Sequence, residues 1–237
     1  MKKVFSSLTF IALFAVVMSG VGLGQTYRTR NTNLPESTIS SGLKAALSQG
    51  ITRAIRDLGR HNGFLDNADV RIPLPSGLKR TESMLRFAGQ GHKVDEFVEA
   101  MNHAAEKAVP VAADVFVDSV SQMSFNDARN ILFSGQDDAA TQFFRRTSED
   151  RLRVMFRPIV EDFTAEVGVT QQYKSLIGRY GFVGRLFGQD ATDIDGYVTD
   201  KALDGLFYVM ADEERRIRRD PIGRTTSILQ TVFGILR

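Results

Sequence analysis

The chain has 237 residues, 43% of them hydrophobic and 24% charged, with 17 Phe, no Trp and no Cys. That apolar supply places it with globular rather than disordered sequences, and the missing thiol excludes disulfide frameworks, cysteine nucleophiles, zinc–thiolate sites and iron–sulfur clusters. A formal net charge of only +2 gives no strong long-range field for nucleic acid or an anionic membrane, so neither is expected as a partner.

Lys2 and Lys3 head an apolar run from Leu8 to Met18 that only Thr9 interrupts, and the small residues Ser19, Gly20, Gly22 and Gly24 follow. A basic head, a short apolar middle and a small-residue exit form the pattern of a secretory signal peptide. The run falls well short of the roughly 20 apolar residues that a spanning helix needs. Residues 1–24 are therefore expected to be a signal peptide, cleaved near Gly24, and the mature protein to be exported, periplasmic or secreted. It has no cysteine to carry a lipid and no expected transmembrane segment. Lys2 and Lys3 are the only charges in that stretch, so the mature chain is close to neutral. Residues 25–39 are polar, with Asn31, Asn33 and Pro35, and predict a flexible leader.

From Ser40 the helical period takes over, and residues 40–237 predict a single all-helical domain. Leu43, Leu47, Ile51, Ile55 and Leu58 recur at spacings of three and four, with Gly59 placed to end the helix. Residues 60–75, RHNGFLDNADVRIPLP, predict an ordered loop held by Phe64, Leu65, Val70 and Ile72. A short helix capped near Ser76 carries Leu78, Leu85 and Phe87 and stops near Gly89 and Gly91. The next has Val94, Phe97, Val98, Met101 and Ala105 on one face, and Pro110 suits the first turn of a fourth with Val111, Val115 and Val120. Ser124 with Asp127 predicts a capped start for a fifth, carrying Ile131 and Leu132 and ended by Gly135.

Asp137 and Asp138 then lie at the head of a helix with Phe143 and Phe144, where negative charge meets the positive end of the dipole. Ser148 predicts a new start, for a stretch that Pro158 should kink or split. Thr170 caps a helix with Tyr173 and Leu176; residues 181–194 form a glycine-broken apolar loop or hinge; and a long helix runs from about Asp195 to Arg219, with Val198, Ala202, Leu203, Phe207 and Met210 inward. Pro221 opens a short terminal helix. Alternation with period two is confined to a few residues at a time. The fold class is all-α, a compact bundle of about 8–10 helices with short connections and antiparallel neighbours.

Three groups of residues could carry chemistry. Glu99, His103 and Glu106 fall on one helical face, extended by Asp95, and carboxylates with imidazole could hold iron, manganese or zinc. The alternative is a solvated face opposite Val94, Phe97 and Met101. Asp190, Asp193 and Asp195 before Gly196 could bind calcium, or Asp193 or Asp195 could cap the helix. Arg145–Arg146 and Arg215, Arg216, Arg218 and Arg219 could take an anion, although Asp212, Glu213, Glu214 and Asp220 beside the second set predict a self-paired, solvated helix end. Motifs of nucleophilic, nucleotide-binding or cofactor chemistry are missing, so no cofactor is expected. His61 and His92 read as turn residues.

Several blocks resemble a known bacterial family, the domain of unknown function DUF4197: SGLKAALSQG from Ser41, LGRHNGFLDNADVRIPLP from Leu58, MNHAAEKAVP from Met101, DDAATQFFRRT from Asp137, GVTQQYK from Gly168, VTDKALDGLFYVMADEERRIRRDP from Val198 and RTTSILQTVFG from Arg224. The resemblance covers about residues 41–234. It implies an exported bacterial protein with no established activity to carry over, and it points to Asp137, Asp138, Thr141, Arg145 and Arg146 in one block and Asp200, Lys201 and Asp204 in another. Asp200 and Asp204 share a helical face, where two acids four apart repel unless paired, and Arg145 is a natural partner. The pairing could equally be a buried structural one. Two functions stay open: a helical binding or assembly module of the bacterial envelope, taking an apolar ligand or a protein partner, and a metal-dependent enzyme using the Glu99, His103, Glu106 face or the Asp200–Asp204 face.

Overall fold

The computed structural model describes residues 36–168 and 193–219, all within one compact unit that begins at Leu34. Among the described residues the secondary structure is helical throughout, with no strand. The helices are α1 (Glu36–Gly59), α2 (Lys79–Phe87), α3 (Gly91–Ala108), α4 (Ala112–Gln122), α5 (Phe125–Phe133), α6 (Ala139–Glu166) and α7 (Ile194–Arg219), with 3-10 turns at Ser76–Leu78 and Val109–Val111. The predicted helices around Tyr173 and after Pro221, and the apolar stretch up to residue 192, lie outside the described residues. None of the described helices is long and apolar enough to cross a membrane.

The predicted apolar stripes form the core. Leu43, Leu47, Ile51 and Leu58 of α1, Val94, Phe97, Val98, Met101 and Ala105 of α3, and Val198, Ala202, Leu203, Phe207 and Met210 of α7 are all buried. Helices α6 and α7 form the central pair, and α1 and α3 each pack against both α7 and neighbouring helices. Phe116 of α4 anchors the centre, edge-on to Phe144 of α6 and Phe207 of α7 at centroid distances of 5.6 and 6.2 Å.

Four local expectations change. Helix α1 starts at Glu36, just after Pro35, inside the stretch read as a leader. Ser148 begins no helix: it is buried in mid-α6, its hydroxyl 2.8 Å from that of Ser119 on α4. Pro158 does not split α6, which continues to Glu166. Its ring faces solvent, and the carbonyl it deprives of a donor belongs to Val154, itself exposed, so water can replace the lost bond. Phe87, expected on an inward stripe, is 96% exposed at the end of α2.

The loop between α1 and α2 is as ordered as the helices. Phe64, Val70 and Ile72 are buried. Asn102 of α3 pins its far end, accepting the Ile72 N–H at 2.8 Å and donating to the Ile72 carbonyl at 3.0 Å. Asn62 adopts φ +61°, the left-handed region that Asn tolerates better than most side chains. Gly59 is not a left-handed cap. It brings α1 against Pro110, whose Cγ would stand 3.1 Å from an added Cβ.

Candidate functional site

The polar residues singled out from the sequence do not converge; they fall into three groups, at the amino terminus of α6, along the α6–α7 seam and at the α1–α2 loop. At the amino terminus of α6, Glu214 of α7 accepts the N–H groups of Ala140 and Thr141 at 2.9 and 2.8 Å and the Thr141 hydroxyl at 2.8 Å. These amides sit in the first turn, where an α-helix has no internal acceptors. Arg218, one turn along α7, donates to Glu214 through Nε and Nη2 at 3.0 and 2.7 Å and also to the Ile131 carbonyl in the last turn of α5. One ion pair thus places an anion at the positive end of α6 and a cation at the negative end of α5. Asp138, at the capping position, makes no side-chain cap and accepts from Gln142 instead, while Asp137 pairs with Arg219 at 2.9 Å.

The acidic and basic run 212–219 is therefore not simply a solvated helix end. Glu213 and Glu214 are both buried. Burial pushes the Glu213 carboxyl above its ordinary value, against the opposing pull of Arg216 and Arg53. Those guanidinium groups lie 3.0 and 3.8 Å away, yet Glu213 Oε2 has no hydrogen bond.

Along the α6–α7 seam, arginines of one helix meet aspartates of the other. Arg145 donates to Asp204 at 2.7 Å and lies over the Phe207 ring, Arg153 pairs with Asp200, and Arg157 pairs with Asp193 at 3.0 Å. The order runs up one helix and down the other, as antiparallel packing requires. Asp200 and Asp204 share the predicted face, and Arg145 is the partner of Asp204. The pairs are about half exposed rather than sealed inside. Lys201 adds a contact to Asp204 at 3.4 Å, and Arg146 stands exposed, apart from both groups. Asp193 accepts the Gly196 N–H at 2.9 Å and so caps α7, and Asp195 accepts from Thr164 at 2.6 Å; Asp190 lies outside the described residues.

The seam opens into a cleft of about 350 Å³ lined by Arg153, Val154, Arg157, Asp193, Gly196, Tyr197, Thr199 and Asp200. Val154 on its wall lies one turn before Pro158. With no N–H at that position, the Val154 carbonyl lacks its usual helical donor.

The third group is at the loop. Glu106 is 4% exposed and does not lie on a solvated face. Its carboxylate accepts the N–H groups of Asn62, Phe64 and Leu65 at 3.0, 3.0 and 3.2 Å, and His103 Nδ1 stands 2.7 Å from Oε2. His61 stacks on His103 at 4.7 Å between centroids. Glu99 remains exposed, with Oε1 3.4 Å from His103 Nε2. The sequence named Glu214, Arg218 and His61 but not their roles, because each acts on a residue more than 40 positions away.

A family model described as a protein of unknown function, DUF4197, matches residues 33–234, most of the chain. Searches of curated proteins and of solved structures found no match. The chain belongs to the DUF4197 family.

Proposed function

We propose that this DUF4197 chain is an exported helical binding module of the bacterial envelope, with the α6–α7 cleft as its ligand site. The observation that carries the reading is the cleft itself. Its size falls in the range of small-molecule sites. Its walls present two arginines, two aspartates and the flank of Val154. Opposed charges close to an apolar wall suit a small zwitterionic amphiphile better than the purely apolar ligand expected from the sequence. Export rests on the signal-peptide pattern of residues 1–24. The polar residues singled out from the sequence are largely engaged in ion pairs and helix caps, which favours binding over catalysis.

Native mass spectrometry of the purified mature protein, after exposure to the small-molecule fraction of an envelope extract, tests the reading. A discrete adduct that disappears in Val154→Trp, a cleft-filling change at an exposed position, is the expected result. A bare protein in both cases overturns it. Amino-terminal sequencing of the protein recovered from a bacterial periplasm tests export, with Gln25 expected as the first residue.

A further inference from the structure

We infer that His103 and Glu99 of α3, completed by His61 from the preceding loop, form a binding site for a divalent transition-metal ion of the zinc class. Glu106 sets the geometry. A carboxylate offers about four acceptor positions. Three backbone N–H groups and His103 Nδ1 take all four. Glu106 is therefore an orienting group rather than a ligand: it fixes the His103 ring and leaves the Nε2 lone pair facing outward, the arrangement that metal-binding histidines receive from a carboxylate bonded to their other ring nitrogen.

What Nε2 faces is a second acceptor. Glu99 Oε1 lies 3.4 Å away, one turn back on the same helix. Two lone pairs at that distance repel unless a cation lies between or beside them. Zinc binds imidazole nitrogen and carboxylate oxygen at about 2.0–2.1 Å, and tetrahedral angles then separate adjacent ligand atoms by about 3.3–3.4 Å. The observed spacing is that of two ligands on one ion. His61 supplies the third. Its ring is exposed and stacked on His103 with 22° between planes, and one ring nitrogen lies within 4.8 Å of one ligand atom each of His103 and Glu106, a group that does not include Glu99, so the ring must turn to reach the ion. The backbone around it is held by the same carboxylate, through Asn62, Phe64 and Leu65, so only the His61 side chain needs to turn. Water completes the sphere. The ion would tie the α1–α2 loop to α3 from outside, as Glu106 ties it from inside.

The experiment uses the full mature chain, stripped with chelator and titrated with zinc by calorimetry, with cobalt absorption as a second readout. One equivalent is expected, with tetrahedral cobalt bands and a raised Tm. His61→Ala and Glu99→Gln change exposed side chains and should leave the metal-free Tm unchanged while weakening zinc binding by more than the roughly 10–100-fold that loss of a ligand-supporting group costs. Absence of stoichiometric uptake, which would leave a proton as the cation beside Glu99, overturns the inference. So does uptake that both variants retain undiminished. The outcome is independent of the α6–α7 cleft, which lies on other residues.

Discussion

Glu214 Oε2 accepts both the backbone N–H and the hydroxyl of Thr141, each at 2.8 Å, across 73 residues of sequence. The pair is buried, and Arg218, which balances the charge, is mostly buried too. Helix α6 is thus capped by another helix rather than by its own flanking aspartates.

Removing the Glu214 side chain should be among the most damaging polar changes available. Glu214→Ala strands two amides and leaves Arg218 without its carboxylate. Loss of one partner of a buried ion pair costs about 3–5 kcal/mol. Thr141→Val removes only the hydroxyl bond and should cost roughly 1.5–3 kcal/mol, the range for hydrogen bonds to charged groups. Urea unfolding of the three proteins gives the ranking directly.

The seam pairs should behave differently. Arg145 and Asp204 are 43% and 53% exposed, and Arg145 also rests on Phe207. Half-exposed ion pairs are screened, with coupling energies of about 0.2–1 kcal/mol. A double-mutant cycle with Arg145→Met and Asp204→Asn should return a value in that range, smaller still in high salt. A coupling above 2 kcal/mol would mean that the seam is less solvated than its exposure indicates.

Gly205 tests packing against propensity. It sits on α7 where an added Cβ would stand 2.6 Å from Phe64 Cε1 and 3.2 Å from Val70 Cβ. Alanine favours an isolated helix over glycine by about 1 kcal/mol. Here the clash falls on a fully buried ring that cannot swing away, and overpacking costs about 1–3 kcal/mol. Gly205→Ala should therefore lower the Tm. A raised Tm would show that the loop yields.

Two carboxyl groups predict opposite pH effects. Burial raises Glu213, so its charged form is disfavoured on folding. The folded state then holds the proton more tightly than the unfolded state, and stability gained at low pH is lost as pH rises through the raised value. Glu213→Gln should remove that loss and be at least as stable as wild type at pH 7. Asp127 is lowered, chiefly by the Ser124 hydroxyl and then by the Ser124 N–H. Its contribution is present above the ordinary aspartate range and disappears as pH falls through the lowered value. Ser124→Ala, which breaks this capping box, should cost about 1 kcal/mol at neutral pH and progressively less in acid. Denaturant unfolding from pH 3 to 8 reads both slopes.

Local rules carried most of the helix plan. The stripes of α1, α3 and α7 were legible because burial repeats with the helical period, and the Ser124–Asp127 box because both partners lie within one turn. The fused α6 was not, since the cost of Pro158 depends on whether Val154 faces water. The roles of Glu106 and Glu214 were hidden for another reason. Their sequence neighbourhoods are those of ordinary charged helix faces, and only the fold shows that each carboxylate plugs a set of amides more than 40 residues away. Asp204 was legible because a same-face acid four residues away demanded a cation. The choice of Arg145 needed antiparallel helices and nothing more.

The distant origin of the α6 cap also orders events in time. A ribosome delivers the first turn of α6 some 70 residues before the carboxylate that satisfies it. Until α7 has emerged and docked, that turn and the last turn of α5 lack the Glu214–Arg218 pair, and α6 has only the earlier helices α3, α4 and α5 to pack against. A nascent chain stopped short of residue 218 is therefore open to proteases along its middle third, and resistance should arrive in one step when the final described helix closes.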